Sequence, residues 1–221
     1  MPYFTQDYCD FFENLDKNNH RDWFLANKKT YEKHVKGAFE GLLHDLLPRL
    51  KSLDTDISMS PKEGLFRINR DVRFSKDKTP YNTIMKAGFA KNGRKSSFAG
   101  YYLGISSSTI HVGGGAFMLP KEDLNAIRQH ILVNADAFKD LISENSFKSH
   151  FGTVKGEKIK RIPLEFKDTF EKVPEVANKQ FYYMAEIPVA PILFDDSLIA
   201  RLIEHFELIT PLNKFLKAPL L

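Results

Sequence analysis

Residues 66–74 read Phe66-Arg67-Ile68-Asn69-Arg70-Asp71-Val72-Arg73-Phe74, and at this stretch the sequence changes from helical to alternating periodicity. Apolar and polar residues alternate along it, with only Arg70 out of step, which is the pattern of a strand with one buried face. We therefore predict a strand over residues 66–74. The residues on its buried face are Phe66, Ile68, Val72 and Phe74.

Further strands are predicted on the C-terminal side of this stretch. Their alternating or continuous apolar patterns cover residues 82–90, 98–105, 109–112 and 181–187. Ser106–Ser108 is short enough to join two of them as a hairpin. Because short links between consecutive strands favour antiparallel pairing, we predict a meander. The Lys-rich residues 155–164 are typical of an edge strand or a loop.

Helical periodicity is found on both sides of the predicted strands. Apolar residues recur every three or four positions in residues 8–15, 31–50, 124–131, 138–142 and 198–206. Because proline has no amide proton, we expect the second of these helices to end or kink near Leu47, before Pro48, and the last to end before Pro211. Helices, then a meander, then helices predict a single α+β domain over residues 1–221.

The composition is that of a globular protein. Of the 221 residues, 43% are hydrophobic and 27% are charged. The longest apolar run, residues 187–194, is too short to cross a bilayer, and the N-terminus lacks the basic and apolar regions of a signal peptide. The single cysteine, Cys9, excludes an intramolecular disulfide and fits a reducing compartment. We therefore expect a cytoplasmic protein with no membrane partner.

Positive charge is concentrated in one segment. Residues 62–95 contain ten basic and three acidic residues, a net charge of +7, whereas the whole chain carries +4. The rest of the chain is therefore slightly acidic, and the positive field is local. Such a field favours an anionic partner, which can be a phosphate, a carboxylate or a nucleic acid.

The short motifs of common catalytic and cofactor sites are missing from the sequence. It contains no H-E-x-x-H, C-x-x-C, G-x-S-x-G, G-K-[ST] or G-x-G-x-x-G. None of its seven histidines lies two or four residues from another. We therefore predict neither a metal ion nor a cofactor.

The strongest candidate site is an anion-binding pocket formed by three arginines, Arg67, Arg70 and Arg73. Arginine presents a planar set of donors suited to phosphate or carboxylate and keeps its charge when partly buried. Asp71, on the same face as two of them, is expected to orient the guanidinium groups. The following turn adds further candidate ligand-binding residues: Lys76, Lys78 and Tyr81.

Asp71 and His111 are the candidate catalytic residues if the protein is an enzyme. His111 lies two residues before Gly113–Gly115, and glycines let a ligand approach the backbone closely. As a general base, His111 needs an orienting acidic partner, for which Asp71 is the candidate. The alternative interpretation is an exposed histidine followed by a glycine bulge.

The segment from Arg67 to Tyr81 also carries a resemblance to a known family. Its pattern R-I-x-R-D-x-R-F-S-x-D-K-x-P-Y resembles that of the bacterial and fungal group called domain of unknown function 2461. Shorter pieces similar to the same family are residues 19–24, 100–102, 113–114, 127–128 and 206–216. The resemblance implies an intracellular single domain and no assigned reaction.

Two alternatives to a small-anion pocket remain open. The basic segment 62–95 can form a nucleic-acid interface, although Phe66 and Phe74 are predicted on the face opposite the arginines, where bases cannot stack on them. Tyr101 or Tyr102 could serve instead. In the other alternative, the arginines and Asp71 form an ion-pair network that ties the sheet to its helices or to a partner protein.

Overall fold

The computed structural model describes residues 2–221, and its strands form one four-stranded antiparallel sheet in the order β1-β2-β3-β4. The strands are β1 (Met85–Phe89), β2 (Gly100–Ile105), β3 (Thr109–Ala116) and β4 (Phe181–Pro188). Ser106–Ser108 joins β2 to β3 as a hairpin, and the helices between β3 and β4 lead back to the same edge. The prediction of an α+β fold with an antiparallel meander is confirmed.

Helices precede and follow the first three strands. On the N-terminal side they are α1 (Gln6–Lys17), α2 (Arg21–Ala26), α3 (Lys28–Thr30), a π-helical turn (Tyr31–Lys36), α4 (Gly37–Leu53) and α5 (Pro61–Gly64). After β3 come α6 (Lys121–Val133), α7 (Ala135–Ser143), α8 (Asn145–Phe151), α9 (Lys167–Lys172) and, beyond β4, α10 (Leu198–Lys217). Short 3-10 turns cover Leu164–Phe166, Pro174–Ala177, Ile192–Phe194 and Ala218–Leu220. No helix within residues 2–221 has the length and apolar character that a bilayer crossing needs.

The strand predicted over residues 66–74 is wrong. The segment is an extended loop that makes isolated bridges, Leu65 to Ala87 and Asn69 to Tyr81, rather than a continuous ladder. Beyond Arg70 the backbone is held by side chains instead, since the ammonium group of Lys78 donates to the carbonyl of Val72 at 2.9 Å. Phe74, predicted to be buried, is 96% exposed. Alternation alone could not reveal this, because a strand also needs a neighbour with free backbone groups.

The prediction that the last helix ends before Pro211 is wrong, and the helix that contains Pro48 does not end near Leu47. Pro48 lies inside α4, which continues to Leu53, and Pro211 lies inside α10, which continues to Lys217. A proline inside a helix costs about 3 kcal/mol. The turns beyond the prolines bury Leu50 in α4 and Leu216 in α10 completely. Burial of large apolar side chains, at about 1.5–3 kcal/mol each, offsets the cost of the proline.

One face of the sheet forms the core. Alternate strand residues such as Leu103, Val112 and Tyr183 are fully buried there against the helices. Side chains tie the helices to this face: the hydroxyl of Tyr8 on α1 donates to the Ile105 carbonyl at 2.8 Å, and the Asn213 amide on α10 donates to the Gly100 carbonyl at 3.1 Å.

The opposite face of the sheet carries the alternate residues, and one row across it is important for the site. The strand register places Lys86 of β1 beside Gly104 of β2, Gly104 beside His111 of β3, and His111 beside Glu186 of β4. We call this face the open face, since the core helices pack on the other side. The row therefore runs across all four strands.

The alternative interpretation of a glycine bulge after His111 is wrong. β3 continues through Gly113–Gly115 with unbroken pairing to both neighbouring strands. A Cβ atom on Gly114 would lie 2.3 Å from the Gly100 carbonyl oxygen and 2.9 Å from a methyl carbon of Ile209, and Gly115 has φ +120. These glycines are therefore required by close packing and backbone conformation within the sheet.

Candidate anion-binding cleft

A cleft of about 300 Å³ lies between the loop that begins at Phe66 and strand β1. Its lining residues are Phe66, Arg67, Asn69, Arg70, Asp71, Asn82 and Lys86. The loop is fixed to the strand by backbone hydrogen bonds, with the Phe66 amide donating to the Lys86 carbonyl at 2.9 Å. The Asn82 amide and its side-chain Nδ2 both donate to the Ile68 carbonyl at 2.8 Å. The cleft thus lies between two segments that are joined by a few hydrogen bonds rather than by a continuous ladder.

Lys86 is the most unusual residue of the cleft. It lies on the open face of β1 between the buried Met85 and Ala87, and its ammonium group donates to Oδ1 of Asn82 at 3.0 Å. Within residues 2–221 no carboxylate lies at ion-pair distance from it. Burial lowers the pKa of Lys86, and repulsion from Arg70 lowers it further. The site therefore holds a partly buried cation whose charge no carboxylate of residues 2–221 offsets.

Arg70 lines the cleft and is held at one end of its guanidinium group. Its Nη1 donates to Oδ2 of Asp77 at 2.5 Å and to the hydroxyl of Thr79, and its amide donates to the Pro80 carbonyl at 2.8 Å. Hydrogen bonds from Thr79 and Arg70 hold the pKa of Asp77 down at about 2. Nε and Nη2 of Arg70 make no hydrogen bond within the described chain, so two donor groups remain available.

Arg73 and Asp71 pair with each other. Nε and Nη2 of Arg73 donate to the two carboxylate oxygens of Asp71 at 2.9 and 2.7 Å. The Arg73 side chain is 76% exposed and does not line the cleft. The expectation that all three arginines converge on one hollow is therefore wrong for Arg73. The expectation that Asp71 orients several guanidinium groups is also wrong, because its hydrogen bonds go to Arg73.

Arg67 is the third cation of the cleft lining. Its side chain is exposed, and it has no hydrogen-bond or ion-pair partner among residues 2–221. The Asp71 carboxylate, which also lines the cleft, attracts Arg67 from beyond ion-pair distance. After the hydrogen bonds from Arg73, this attraction contributes to the lowered pKa of Asp71. Lys86 is thus the lining cation that no carboxylate of residues 2–221 offsets.

The turn residues predicted as ligands lie outside the cleft lining. Tyr81 is buried and stacks on Phe24 with ring centroids 4.1 Å apart, while Asn19 binds both the amide and the carbonyl of Tyr81. Lys78 holds the loop through the Val72 carbonyl, and Lys76 is exposed. Tyr81 and Lys78 therefore stabilise the loop rather than face the cleft.

His111 is paired with a different acid from the one expected. Its Nδ1 lies 3.8 Å from Oε1 of Glu186, its register neighbour on β4, whereas Asp71 is occupied by Arg73. His111 does not line the cleft. It does share the open face with Lys86, which does.

Lys86 and Asn82 are two of the four cleft residues that were not predicted as site residues; the others are Phe66 and Asn69. No local spacing marks Lys86 or Asn82, since Asn82 directly follows the family-like pattern and Lys86 lies inside an otherwise apolar strand. A lysine between two buried strand positions was the available signal. Its importance depends on the loop that folds over it.

Cys9 is buried in the core. It is 3% exposed within α1, and burial raises the pKa of its thiol to about 11. A thiol of this kind stays protonated at neutral pH and is a poor nucleophile.

A second cavity, of about 420 Å³, lies where α1 meets the β2–β3 hairpin. Its lining residues are Phe12, Glu13, Asp16, Lys17, Thr83, Ser106, Ser107 and Ser108. Although it is larger, its charged lining is two acids and one base. An anion is therefore better suited to the first cleft.

Comparison with known proteins gives one family match. The model of a family described as conserved hypothetical protein (DUF2461) matches residues 7–215, a range that includes the whole cleft. No curated protein matches the chain.

Proposed function

This chain belongs to the DUF2461 family of conserved hypothetical proteins, and we propose that it binds a small anion, a phosphate or a carboxylate, in the cleft between the loop 66–71 and β1. The observation that carries the proposal is Lys86, a partly buried ammonium group with Arg70 nearby and no carboxylate partner. A buried charge is costly unless it is paired. An anion in the cleft would provide the missing partner.

The distribution of ion pairs supports this proposal over a purely structural network. In such a network each cation has its own carboxylate, as Arg70 has Asp77 and Arg73 has Asp71. After those pairs are made, Lys86 has no carboxylate partner within residues 2–221, and Arg67, which Asp71 attracts only from beyond ion-pair distance, lines the same cleft with room for a phosphate. A bound anion would offset both charges and would accept hydrogen bonds from the donors that Arg70 keeps.

Catalysis by Asp71 is not part of the proposal. Hydrogen bonds from Arg73 lower the pKa of Asp71, so its carboxylate stays ionised at neutral pH. A carboxylate held in this way is a poor proton donor and a weak base. We propose binding alone, within a single domain formed by residues 1–221 whose buried apolar cluster runs from Phe4 to Leu216.

Thermal stability in the presence of anions tests the proposal. Because a ligand that binds only the native state raises the unfolding temperature, we expect inorganic phosphate or acetate to stabilise the wild-type protein. The Lys86→Met variant should lose this shift. Arg73→Ala removes an equal charge from the neighbouring loop, outside the cleft, and it should keep the shift. If no anion stabilises the wild type, or if Lys86→Met retains the full shift, the proposal is wrong.

One observation favours nucleic acid as a second candidate. Phe74 is 96% exposed, and the guanidinium carbon of Arg73 lies 5.8 Å from its ring centroid. An exposed aromatic ring beside a cation is what base stacking needs, whereas Tyr101 is buried under α10. Binding of a single-stranded oligonucleotide should then fall steeply with salt and be lost in Phe74→Ala. Equal binding by Phe74→Ala and the wild type would exclude this candidate.

A further inference from the structure

We propose that the anion is one end of a hydroxylated organic molecule, of the sugar-phosphate or sugar-acid class, and that its hydroxyl-bearing part lies on the open face beside Tyr102 and His111. This inference rests on the anion-binding function proposed above. It adds the chemical class of the ligand and the surface that recognises it.

The open face continues directly from the cleft. Lys86 lines the cleft and also begins the row that runs through Gly104 to His111 and Glu186. Neighbouring strands lie about 4.8 Å apart, so the Cα atoms of Lys86 and His111 are separated by roughly 10 Å. This distance matches the length of a phosphorylated sugar. A ligand anchored at Lys86 would therefore reach His111.

Gly104 places a hydroxyl group in the middle of this row. A Cβ atom on Gly104 would lie 3.0 Å from the hydroxyl oxygen of Tyr102, so the missing side chain lets the Tyr102 ring lie along β2. The Tyr102 hydroxyl shares this position, between Lys86 and His111, with the Cδ1 methyl of Ile84, which would lie 2.9 Å from the same Cβ atom. Within residues 2–221 it makes no hydrogen bond, although burial of the side chain raises its pKa to about 12.

His111 and Glu186, the last two residues of the row, add an imidazole and a carboxylate. Their side chains are 27% and 69% exposed, so both can be reached from solvent. Phenol, imidazole and carboxylate groups at strand spacing present donors and acceptors in turn, which suits hydroxyl groups because each of these both donates and accepts. An apolar substituent would desolvate these groups without pairing them. The row therefore favours a polyol over a hydrocarbon.

Two pairs of probes test the inference by calorimetry. Glucose 6-phosphate is compared with inorganic phosphate, and gluconate with acetate, so that the two anion types are distinguished. In at least one pair we expect the hydroxylated member to bind about tenfold more tightly, the effect of one or two hydrogen bonds. Phenyl phosphate should bind no more tightly than inorganic phosphate.

Two variants test whether the tighter binding of the hydroxylated anion depends on the open face. Tyr102→Phe keeps the ring over Gly104 and removes only the hydroxyl, and His111→Ala removes the imidazole. In each variant, the affinity advantage of the hydroxylated anion over the simple anion should fall at least threefold. The affinity for the simple anion should stay unchanged. In NMR spectra, the imidazole resonances of His111 should shift with the hydroxylated anion and not with the simple one.

The outcomes separate the inference from the proposed function. If the simple anions bind and the hydroxylated ones gain nothing, or if phenyl phosphate gains as much as glucose 6-phosphate, the inference is overturned and anion binding stands. If the gain persists unchanged in both variants, the open face is not the recognising surface and the inference is overturned. If neither simple nor hydroxylated anions bind, both proposals fail.

Discussion

Two lysines with little solvent exposure have opposite surroundings in this molecule. Lys217, in the last turn of α10, is 5% exposed, and its ammonium group binds the buried carboxylate of Asp54 and, at 2.6 Å, that of Asp56. Lys86, on β1, is partly buried, and its ammonium group meets only the amide oxygen of Asn82. One cation is paired twice within the chain, and the other is not paired with any carboxylate of residues 2–221.

The difference separates a structural ion pair from a candidate binding site. Lys217 joins the end of the chain to the loop after α4, and it lowers the pKa of Asp56. This arrangement needs no ligand. At Lys86 burial and Arg70 lower the pKa of the lysine itself, which means that the folded protein disfavours its charge. A bound anion would favour the charged form of Lys86 and so raise its pKa.

The largest expected effect is at Lys217. Lys217→Met should destabilise the protein by about 3–5 kcal/mol, because Asp54 would remain buried without its partner. Chemical denaturation measures the loss. The double variant Lys217→Met/Asp54→Asn should recover part of it, since the uncompensated charge is then gone. A loss below about 1 kcal/mol would mean that the pair contributes no more than a surface ion pair.

Lys86→Met should have a much smaller effect on stability. Removal of an unpaired cation beside Arg70 should leave the free energy of unfolding unchanged or raise it, within about 1 kcal/mol. The same denaturation experiment measures it in the absence of added anions. A loss as large as that of Lys217→Met would show that Lys86 is structural, and the contrast between the two lysines would disappear.

Acid titration examines the carboxylate that holds Arg70. The pKa of Asp77 is lowered from 3.8 to about 2, so its contribution to stability is present above pH 3.8 and is lost as the pH falls towards 2. Asp77→Asn should therefore show a smaller decrease in stability between about pH 4 and pH 2 than the wild type. Thermal unfolding across this range measures the difference. Identical pH profiles would mean that the folded protein does not perturb Asp77.

Arg73→Ala should have the smallest effect. Its guanidinium group is mostly exposed and pairs with an exposed carboxylate, so solvent screens the interaction. We expect no resolvable change in the denaturation midpoint and no change in the stabilisation by phosphate. A loss of phosphate stabilisation in this variant, with Lys86→Met unaffected, would move the site from the cleft to the exposed side of the loop.

Much of the fold could be predicted from local patterns. The strands at residues 85–89 and 181–188 alternate between buried and less buried positions, the strand at residues 100–105 is an almost continuously buried run, and the hairpin follows from the short Ser106–Ser108 link. The predictions failed where distant contacts override local preference. Pro211 lies within α10 because the turns beyond it are buried against the core, and residues 66–74 form a loop because no strand pairs with them continuously.

The candidate site was predicted in part. Arg67, Arg70 and Asp71 line the cleft, and the concentration of positive charge in their segment is visible in the sequence alone. Arg73 does not line the cleft, and its guanidinium group is paired with Asp71, two residues away. Lys86 was not predicted, because its isolation depends on how the loop and β1 come together.

Residue order along this chain was sufficient to predict the class of fold, the location of its positive charge and its family, because periodicity, charge density and motif spacing are local properties. It could not determine which cations keep their charge unpaired. Lys217 and its partner Asp54 are 163 residues apart, and Lys86 shares its cleft with residues of a preceding loop. Electrostatic pairing acts over a few ångströms in space whatever the separation in sequence, so the unpaired lysine became visible only once the chain was folded.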